Sequence, residues 1–258
     1  MTTLQLHRFL CRQDNYGVLV HDPASGRTAS IDAPELSAIE AALKATGWRL
    51  NEIWCTHHHH DHTAAIPALK AAYGCTVYGP KAEADRIAGL DILLGGGDQF
   101  DFSGHRVDTL DTPGHTLGHI VFTIAGQKLA FTGDTLFALG CGRVIEGTMR
   151  QMWTSLSRLM ALPGATGIYC GHEYTAANAR FALSVDPDNE SLRQRAEKIM
   201  RQRSRGELTL PTTLDLELTT NPFLRVGDPA IRRHLSMASA SDVEVFAELR
   251  RRKDCFGG

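Results

Sequence analysis

The chain has six cysteines, Cys11, Cys55, Cys75, Cys141, Cys170 and Cys255, but no C-x-x-C pair among them. Their spacing excludes a cysteine-rich zinc module and suggests no disulfide framework. No apolar stretch approaches the roughly 18 residues needed to cross a bilayer, so no membrane partner is expected. The opening residues Met1-Thr2-Thr3-Leu4-Gln5 lack the basic and apolar regions of a secretory signal, and a cytoplasmic location with reduced thiols is the expectation. Neither sign of charge dominates: 27 Lys and Arg stand against 29 Asp and Glu, a formal net charge of −2. That balance argues against nucleic acid as the partner. A hydrophobic content of 43% excludes a disordered chain. A G-x-S-x-G nucleophile elbow is missing too. Gly95-Gly96-Gly97-Asp98 lacks the Lys-Ser/Thr of a phosphate cradle. A length of 258 residues then allows one large domain, or a medium and a small one.

The unusual feature is histidine: 12 in all, five of them between positions 57 and 62. Leu4–Phe9, Tyr16–His21 and Thr28–Ile31 read as short strands separated by turn residues. Pro34 opens a helix with apolar positions Leu36, Ile39, Ala42 and Leu43, closing near Gly47. Ile53–Thr56 is a strand that runs into the histidines. A helix over Ala64–Tyr73 and a strand over Thr76–Tyr78 follow. Strands at 99–102, 105–110, 120–124 and 128–131 read as antiparallel hairpins. A helix at 149–161 and a strand at 167–170 close this body. From about residue 173 the pattern becomes helical, over Ala176–Leu183, Ser191–Arg205 and Asp242–Arg252. The charge shifts with it: residues 1–176 carry 13 basic and 17 acidic side chains, residues 177–258 carry 14 and 12. An α/β body with a smaller basic helical appendage is therefore expected.

Thr56-His57-His58-His59-His60-Asp61-His62 emerges from a strand, where period-two alternation sends His57 and His59 to one side and His58 and His60 away as spacers. A following loop can bring Asp61 and His62 round to the same region. Imidazole and carboxylate donors suit zinc, iron or manganese. About three protein ligands make one catalytic site, so this segment can start two. The run is internal and contains an aspartate, unlike a terminal tag. Further candidates sit at strand ends: His115 in Thr112-Pro113-Gly114-His115-Thr116-Leu117-Gly118-His119, Asp134 in Thr132-Gly133-Asp134-Thr135, and His172 in Gly171-His172-Glu173. Singly, each is as compatible with a turn cap or a hydrogen-bonded histidine. Together they are polar residues on loops held by a rigid scaffold.

These strings resemble the signature of the metallo-β-lactamase superfamily. The closer resemblance is to the hydroxyacylglutathione hydrolase (glyoxalase II) family. It adds Asp14-Asn15-Tyr16, Gly140-Cys141-Gly142-Arg143, Glu173-Tyr174-Thr175, Asn221-Pro222-Phe223-x-Arg225 and Arg250-Arg251-Arg252-Lys253-Asp254-x-Phe256, nearly the whole chain. The resemblance implies an αββα sandwich over residues 1–173 and a helical substrate-binding domain over 174–258. It implies two divalent ions, zinc first with iron or manganese open. His57, His59 and His115 would hold one ion, Asp61, His62 and His172 the other, and Asp134 would bridge them, with Asp61 and Asp134 as catalytic carboxylates. His119 falls outside this ligand set, in a packing or supporting role. Two metals a few ångströms apart activate water and polarise a carbonyl. The implied reaction is hydrolysis of a small-molecule glutathione thioester, S-D-lactoylglutathione, to D-lactate and glutathione, the second step of methylglyoxal detoxification. Substrate-binding positions map to Arg143, Tyr174, Arg250 and Lys253, with Arg143 where lysine is common. Ile145 departs from the family's frequent tyrosine, which puts glutathione affinity in question. A monomer or weak oligomer is expected. Other classes sharing the signature are further thioesterases, a mononuclear iron persulfide dioxygenase, a nucleic-acid hydrolase and a metal-binding regulator without chemistry. The intact ligand set and the small basic tail argue against the last three.

Overall fold

A computed structural model describes residues 2–257. Two six-stranded sheets face each other. The first contains β1 (Gln5–Cys11), β2 (Asn15–Asp22), β3 (Arg27–Ile31), β4 (Arg49–Trp54), β5 (Thr76–Pro80) and β6 (Ile92–Leu94), in that spatial order. Its first three strands pair antiparallel, and β3 to β6 run parallel. The crossovers carry α1 (Leu36–Thr46), α2 (His60–Thr63) and α3 (Ile66–Tyr73). The second sheet is built from the antiparallel run β7 (Gln99–Phe102), β8 (His105–Asp111), β9 (Ile120–Ile124) and β10 (Leu129–Gly133). A small hairpin, β11 (Leu136–Phe137) and β12 (Gly140–Cys141), and the helix α4 (Met149–Met160) precede β13 (Gly167–Cys170), which pairs parallel with β10. The carboxyl-terminal segment supplies α5 (Thr175–Val185), α6 (Glu190–Ser204), β14 (Thr212–Thr213), α7 (Leu214–Thr220), α8 (Pro229–His234) and α9 (Asp242–Asp254).

Three apolar layers result. Trp54, Phe102, Phe122 and Phe131 fill the space between the sheets, with Trp54 edge-on to Phe100 and Phe102 at 5.2 and 5.1 Å. Ile39, Leu43, Ile66 and Leu69 pack the helices α1 and α3 on the outer face of the first sheet. Met152, Leu156 and Leu159 of α4 cover the second, and the same cluster takes in Phe181, Phe223, Phe246 and Leu249 of the later helices. The layers read helix, sheet, sheet, helix: the αββα sandwich, with a helical tail sharing its last core. Among the described residues no helix is long and apolar enough to cross a membrane, and all six cysteines are unpaired, only Cys255 exposed.

Three local expectations differ from the structure. The histidine strand spans Arg49–Trp54 rather than Ile53–Thr56, and the segment expected as a loop forms one helical turn, His60–Thr63. Strands do not end at residue 173: β14 pairs with β13 and extends the second sheet. The elements β6, β11, β12, α7 and α8 are all seven residues or shorter, too short for a periodic signal.

The tail is pinned to the body by a buried polar knot. Glu217 is fully buried, paired with Arg195 and accepting from the Leu139 N–H at 2.8 Å and the Asn221 amide at 3.0 Å. Asn221 also donates to the Gly140 carbonyl at 3.0 Å, so α7 grips the β11–β12 hairpin. Removing one partner of such a pair strands a buried charge. Glu217→Ala is expected to destabilise the fold by about 3–5 kcal/mol, read as a lowered urea midpoint; an unchanged midpoint would refute this role.

Candidate functional site

The parallel strands β3 and β4 of one sheet and β8, β10 and β13 of the other end at a common edge. The sheets touch there: Asn15 bridges His172, and the Tyr16 N–H donates to the Gly171 carbonyl at 2.8 Å. Each strand end delivers a polar residue. Asp32 follows β3, His57 and His59 follow β4, His115 follows β8, Asp134 follows β10 and His172 follows β13. The helical turn after His59 brings Asp61 and His62 round. All seven ligand positions expected from the sequence converge here.

They form two adjoining groups. In the first, His57 Nε2 lies 3.1 Å from His59 Nδ1, and His115 Nε2 lies 3.0 Å from the same atom. In the second, His172 Nε2 stands 3.4 Å from His62 Nε2 and 3.3 Å from Asp61 Oδ2, with His62 Nε2 3.6 Å from Asp61 Oδ2. Asp134 lies between them, Oδ2 at 3.3 Å from both His115 and His172 Nε2, and Oδ1 at 3.5 Å from His62 Nε2.

The far nitrogens of four of these five rings are already committed. His115 Nδ1 donates to the Arg143 carbonyl at 2.8 Å, His172 Nδ1 to Asp14 at 2.9 Å, and His62 Nδ1 to Asp32 at 2.7 Å. His57 Nδ1 donates to Thr56 Oγ1 at 3.0 Å, and that hydroxyl donates to Asp32 Oδ2 at 3.0 Å. In the neutral rings the inward nitrogens are therefore lone pairs, facing one another and two carboxylates at close range. Buried Asp134 Oδ1 accepts no hydrogen bond from the protein. Such a set is repulsive without a cation at its centre, and its donors fit a divalent ion in either group.

The electrostatics agree. Burial, then the neighbouring rings His62, His119, His115 and His59, hold His57 well below the usual histidine range, so its lone pair stays available. Burial opposes charge on His172 as well, but Asp134, Asp61 and Asp14 outweigh it and push its pKa up to about 11. Asp134 is pulled well below the usual carboxylate range despite burial, chiefly by His62 and His172. The carboxylates in this half-site call for positive charge, from protons or from a metal.

Backbone closeness explains two of the motif glycines. A Cβ on Gly171 would lie 2.5 Å from Asp134 Oδ1, and one on Gly114 would lie 2.7 Å from Met152 Cβ of α4. His119, expected in a supporting role, is fully buried and its Nε2 accepts the Asp134 N–H at 3.0 Å. His60 is exposed, as befits a spacer, but His58 is not one. It contacts Glu83 at 2.9 Å, and Glu83 also accepts the His58 and Gly118 N–H groups, tying two ligand loops together. The sequence reading missed Asp32 altogether. It sits in the left-handed region (φ 56°) directly after β3, and its only signal was that it too is a polar residue at a strand end.

Beside His115 and Asp134 opens a pocket of about 390 Å³, lined by Arg143, Tyr174, Arg250 and Lys253 together with Phe137, Cys141, Asn178 and Asp254. All four expected substrate-binding residues are here, in different states. Tyr174 stacks on His172 at 4.8 Å. Arg143 is exposed, 4.0 Å from Asp254. Arg250 is 4% exposed, with Nη1 donating to the Cys141 carbonyl at 2.8 Å and Nη2 2.9 Å from Asp254. Ile145 is 58% exposed and does not line this pocket.

Two family models divide the chain. Residues 12–172 match the metallo-beta-lactamase superfamily, and residues 173–256 match the hydroxyacylglutathione hydrolase C-terminus. The hydroxyacylglutathione hydrolase of Rhizobium meliloti (strain 1021) is 59% identical over 256 residues, spanning 99% of this chain and 100% of that relative. The chain belongs to the hydroxyacylglutathione hydrolase family. A second hydroxyacylglutathione hydrolase, from Brucella anthropi, is 54% identical over 98% of this chain and 97% of its own. Among solved structures, ETHE1 from Myxococcus xanthus superposes with a TM-score of 0.69 at 23% identity, covering 96% of this chain and 90% of that one, a likeness of fold. TTHA1623, solved in a di-iron-bound form, gives 0.59 at 26% identity over 83% of this chain and 98% of its own. Membership in the superfamily carries divalent-metal binding with it.

Asp32 orients one ring in each ligand group of this hydroxyacylglutathione hydrolase family member. Partners behind metal-binding histidines are worth about 10–100-fold in metal affinity. Asp32→Ala should lose that much in chelator competition, and an unchanged affinity would show the contact to be incidental.

Proposed function

We infer that this chain hydrolyses S-(2-hydroxyacyl)glutathione thioesters, S-D-lactoylglutathione foremost, releasing a 2-hydroxy acid and glutathione. The observation that carries the reading is the pairing of two converging ligand groups with a cation-rimmed pocket that opens directly onto them. In this reading His57, His59 and His115 hold one ion, Asp61, His62 and His172 hold the other, and Asp134 bridges; zinc is the first candidate. Residues 1–173 form the catalytic unit, and 174–258 the unit that completes the substrate pocket. The reaction is the second step of methylglyoxal detoxification, in the cytoplasm.

When bound, two divalent ions supply Lewis acidity toward the thioester carbonyl and a water of lowered pKa. Everything else falls to the chain. Asp134 remains ionised, held so by the imidazoles around it. Asp32, Asp14 and the Arg143 carbonyl fix the rings from behind, so no reorganisation is needed as charge develops on the substrate oxygen. The leaving thiolate has a pKa near about 8.5, so no strong general acid is required, and the absence of a nucleophile elbow is consistent with this. Burial first, then Asp14, holds the Tyr174 phenol well above the usual tyrosine range, so it stays neutral against His172.

Glutathione is anionic, and the pocket offers cations. Arg143 stands free enough to pair with a carboxylate. Lys253 sits on the Phe181 and Phe256 rings at 5.5 and 5.6 Å. Arg250 acts through Cys141 and Asp254, shaping the wall.

Turnover of S-D-lactoylglutathione measured with metal content on the same sample tests the whole reading. A full two-metal load without turnover would overturn it, and one iron per chain with oxygen consumption would favour the dioxygenase class. Arg143→Ala and Lys253→Ala should raise KM with kcat nearly unchanged, the pattern of lost uniform binding. Lys253 is also a pH handle. Burial first, then Arg250, Arg180 and Arg143, bring its pKa down to about 8, with Asp254 opposing. Below that pH it is a cation and above it is neutral, so KM should climb through and above pH 8. In Lys253→Arg, whose charge persists, that climb should disappear; its survival would exclude Lys253 as the titrating anchor.

A further inference from the structure

The ligand groups open onto two depressions. The pocket described above borders His115 and Asp134. A second depression, about 650 Å³, borders Asp61 and His172 on the other side, and its remaining wall includes Arg12, Gln13, Asn15 and Glu35. Tyr174 lines both, its ring parallel to His172 at an interplanar angle of 1°, so it stands as the partition between them.

The two differ in chemistry. The first mixes cations with Phe137, Cys141 and Phe256. Every residue lining the second is polar or charged. A thioester carries its sulfur and its acyl chain on opposite sides of the carbonyl carbon. With the thiol portion in the first pocket and the carbonyl over the ligand groups, the acyl chain must leave toward Asp61 and His172. We propose that the second depression is the acyl subsite, and that Arg12 and Gln13 make it select acyl groups bearing a hydroxyl over alkyl acyl groups of the same length. This rests on the thioesterase reading above and adds which residues read the acyl group.

The partners available for that hydroxyl can be narrowed. Asn15 is spent on Asp61, its amide donating to Oδ2 and to the backbone carbonyl at 3.1 Å each. Asp14 is spent on His172. The Arg12 guanidinium donates to the Pro34 carbonyl at 3.2 Å, which leaves most of its N–H groups uncommitted. Its backbone is held in the left-handed region (φ 52°) with its N–H on Glu35 Oε2 at 2.8 Å, so the side chain projects from a fixed point. Gln13 is exposed at the same rim and offers both a donor and an acceptor. A hydroxylated acyl group exchanges water for these groups. An alkyl chain displaces the water and returns no hydrogen bond, which is the source of discrimination.

The test compares kcat/KM of the metal-loaded enzyme for S-lactoylglutathione and S-propanoylglutathione, which differ by the 2-hydroxyl alone. That hydroxyl also makes the carbonyl more electrophilic, so the readout is the change in the lactoyl-to-propanoyl ratio between wild type and variants, where the intrinsic effect cancels. Arg12→Gln and Gln13→Leu should each lower the ratio roughly 3- to 10-fold, the size expected of hydrogen bonds at an exposed rim. Competitive inhibition by S-methylglutathione, which fills only the first pocket, should stay at the wild-type value. Lys253→Ala should do the reverse, weakening that inhibitor and leaving the ratio alone. Persistent lactoyl turnover with an unchanged ratio in both variants would overturn the acyl subsite while leaving the thioesterase reading intact. Equal losses on both thioesters with weaker inhibition would assign Arg12 and Gln13 to glutathione binding and also overturn it. A wild-type enzyme that cleaves neither thioester would overturn the thioesterase reading, and this inference with it.

Discussion

The centre of this molecule depends on carboxylates and carbonyls that bind the outer nitrogens of its histidines. Each such bond fixes a tautomer and turns a lone pair inward, and the inward set then lacks positive charge. Asp32 is the busiest of these partners, gripping His62 directly and His57 through the Thr56 hydroxyl, while its other oxygen accepts the Thr56 N–H at 2.7 Å. Because Asp32 follows β3 and Thr56 follows β4, the parallel pairing of two strands is converted into the relative orientation of two rings. The unpaired Asp134 Oδ1 is the clearest mark of what is missing: a buried anionic oxygen with no donor needs a cation.

The net charge of −2 conceals an uneven distribution. The body is acidic where it must hold cations, and the tail is basic where an anionic substrate would lie. The structure brings these together physically. The carboxyl-terminal end of α9 carries Arg250 and Lys253 to the pocket wall, and Glu217 and Asn221 hold the hairpin that contains Cys141 and leads to Arg143. The tail shares an apolar cluster with α4 and the second sheet, so packing that stabilises the fold also sets the distance between the His/Asp groups and the cationic rim.

Much of this was legible in the residues. The histidine string was enough to anticipate His57 and His59 together, although both lie past the end of β4 at Trp54, so the chain leaving the strand, not alternation within it, sets their placement. The hairpins of the second sheet and the longer helices were legible because each repeats its pattern often enough to be seen. The short elements β6, β11, β12, α7 and α8 were not, since their placement depends on burial against neighbours far along the chain. His58 was read as a spacer pointing away, and on that side the fold places Glu83, from a different segment. Arg250 was expected among the substrate-binding cations, but nothing in its local sequence showed that it would be buried against Cys141 and Phe223.

The sequence by itself determined which donors exist and that they sit at strand ends. Ligand chemistry belongs to residue type, and strand or turn character belongs to short stretches of chain. Tertiary structure alone decided which donors meet, which face of each ring is free, and which cations remain available. Asp32 and His62 lie thirty residues apart in sequence and meet only once β3 and β4 pair; His172 and Asp14 lie still further apart and meet only once the two sheets share an edge. Proton positions and the sharing of charge are set by such contacts at 2.7–2.9 Å, and no local pattern encodes a distance between segments that the fold has yet to bring together.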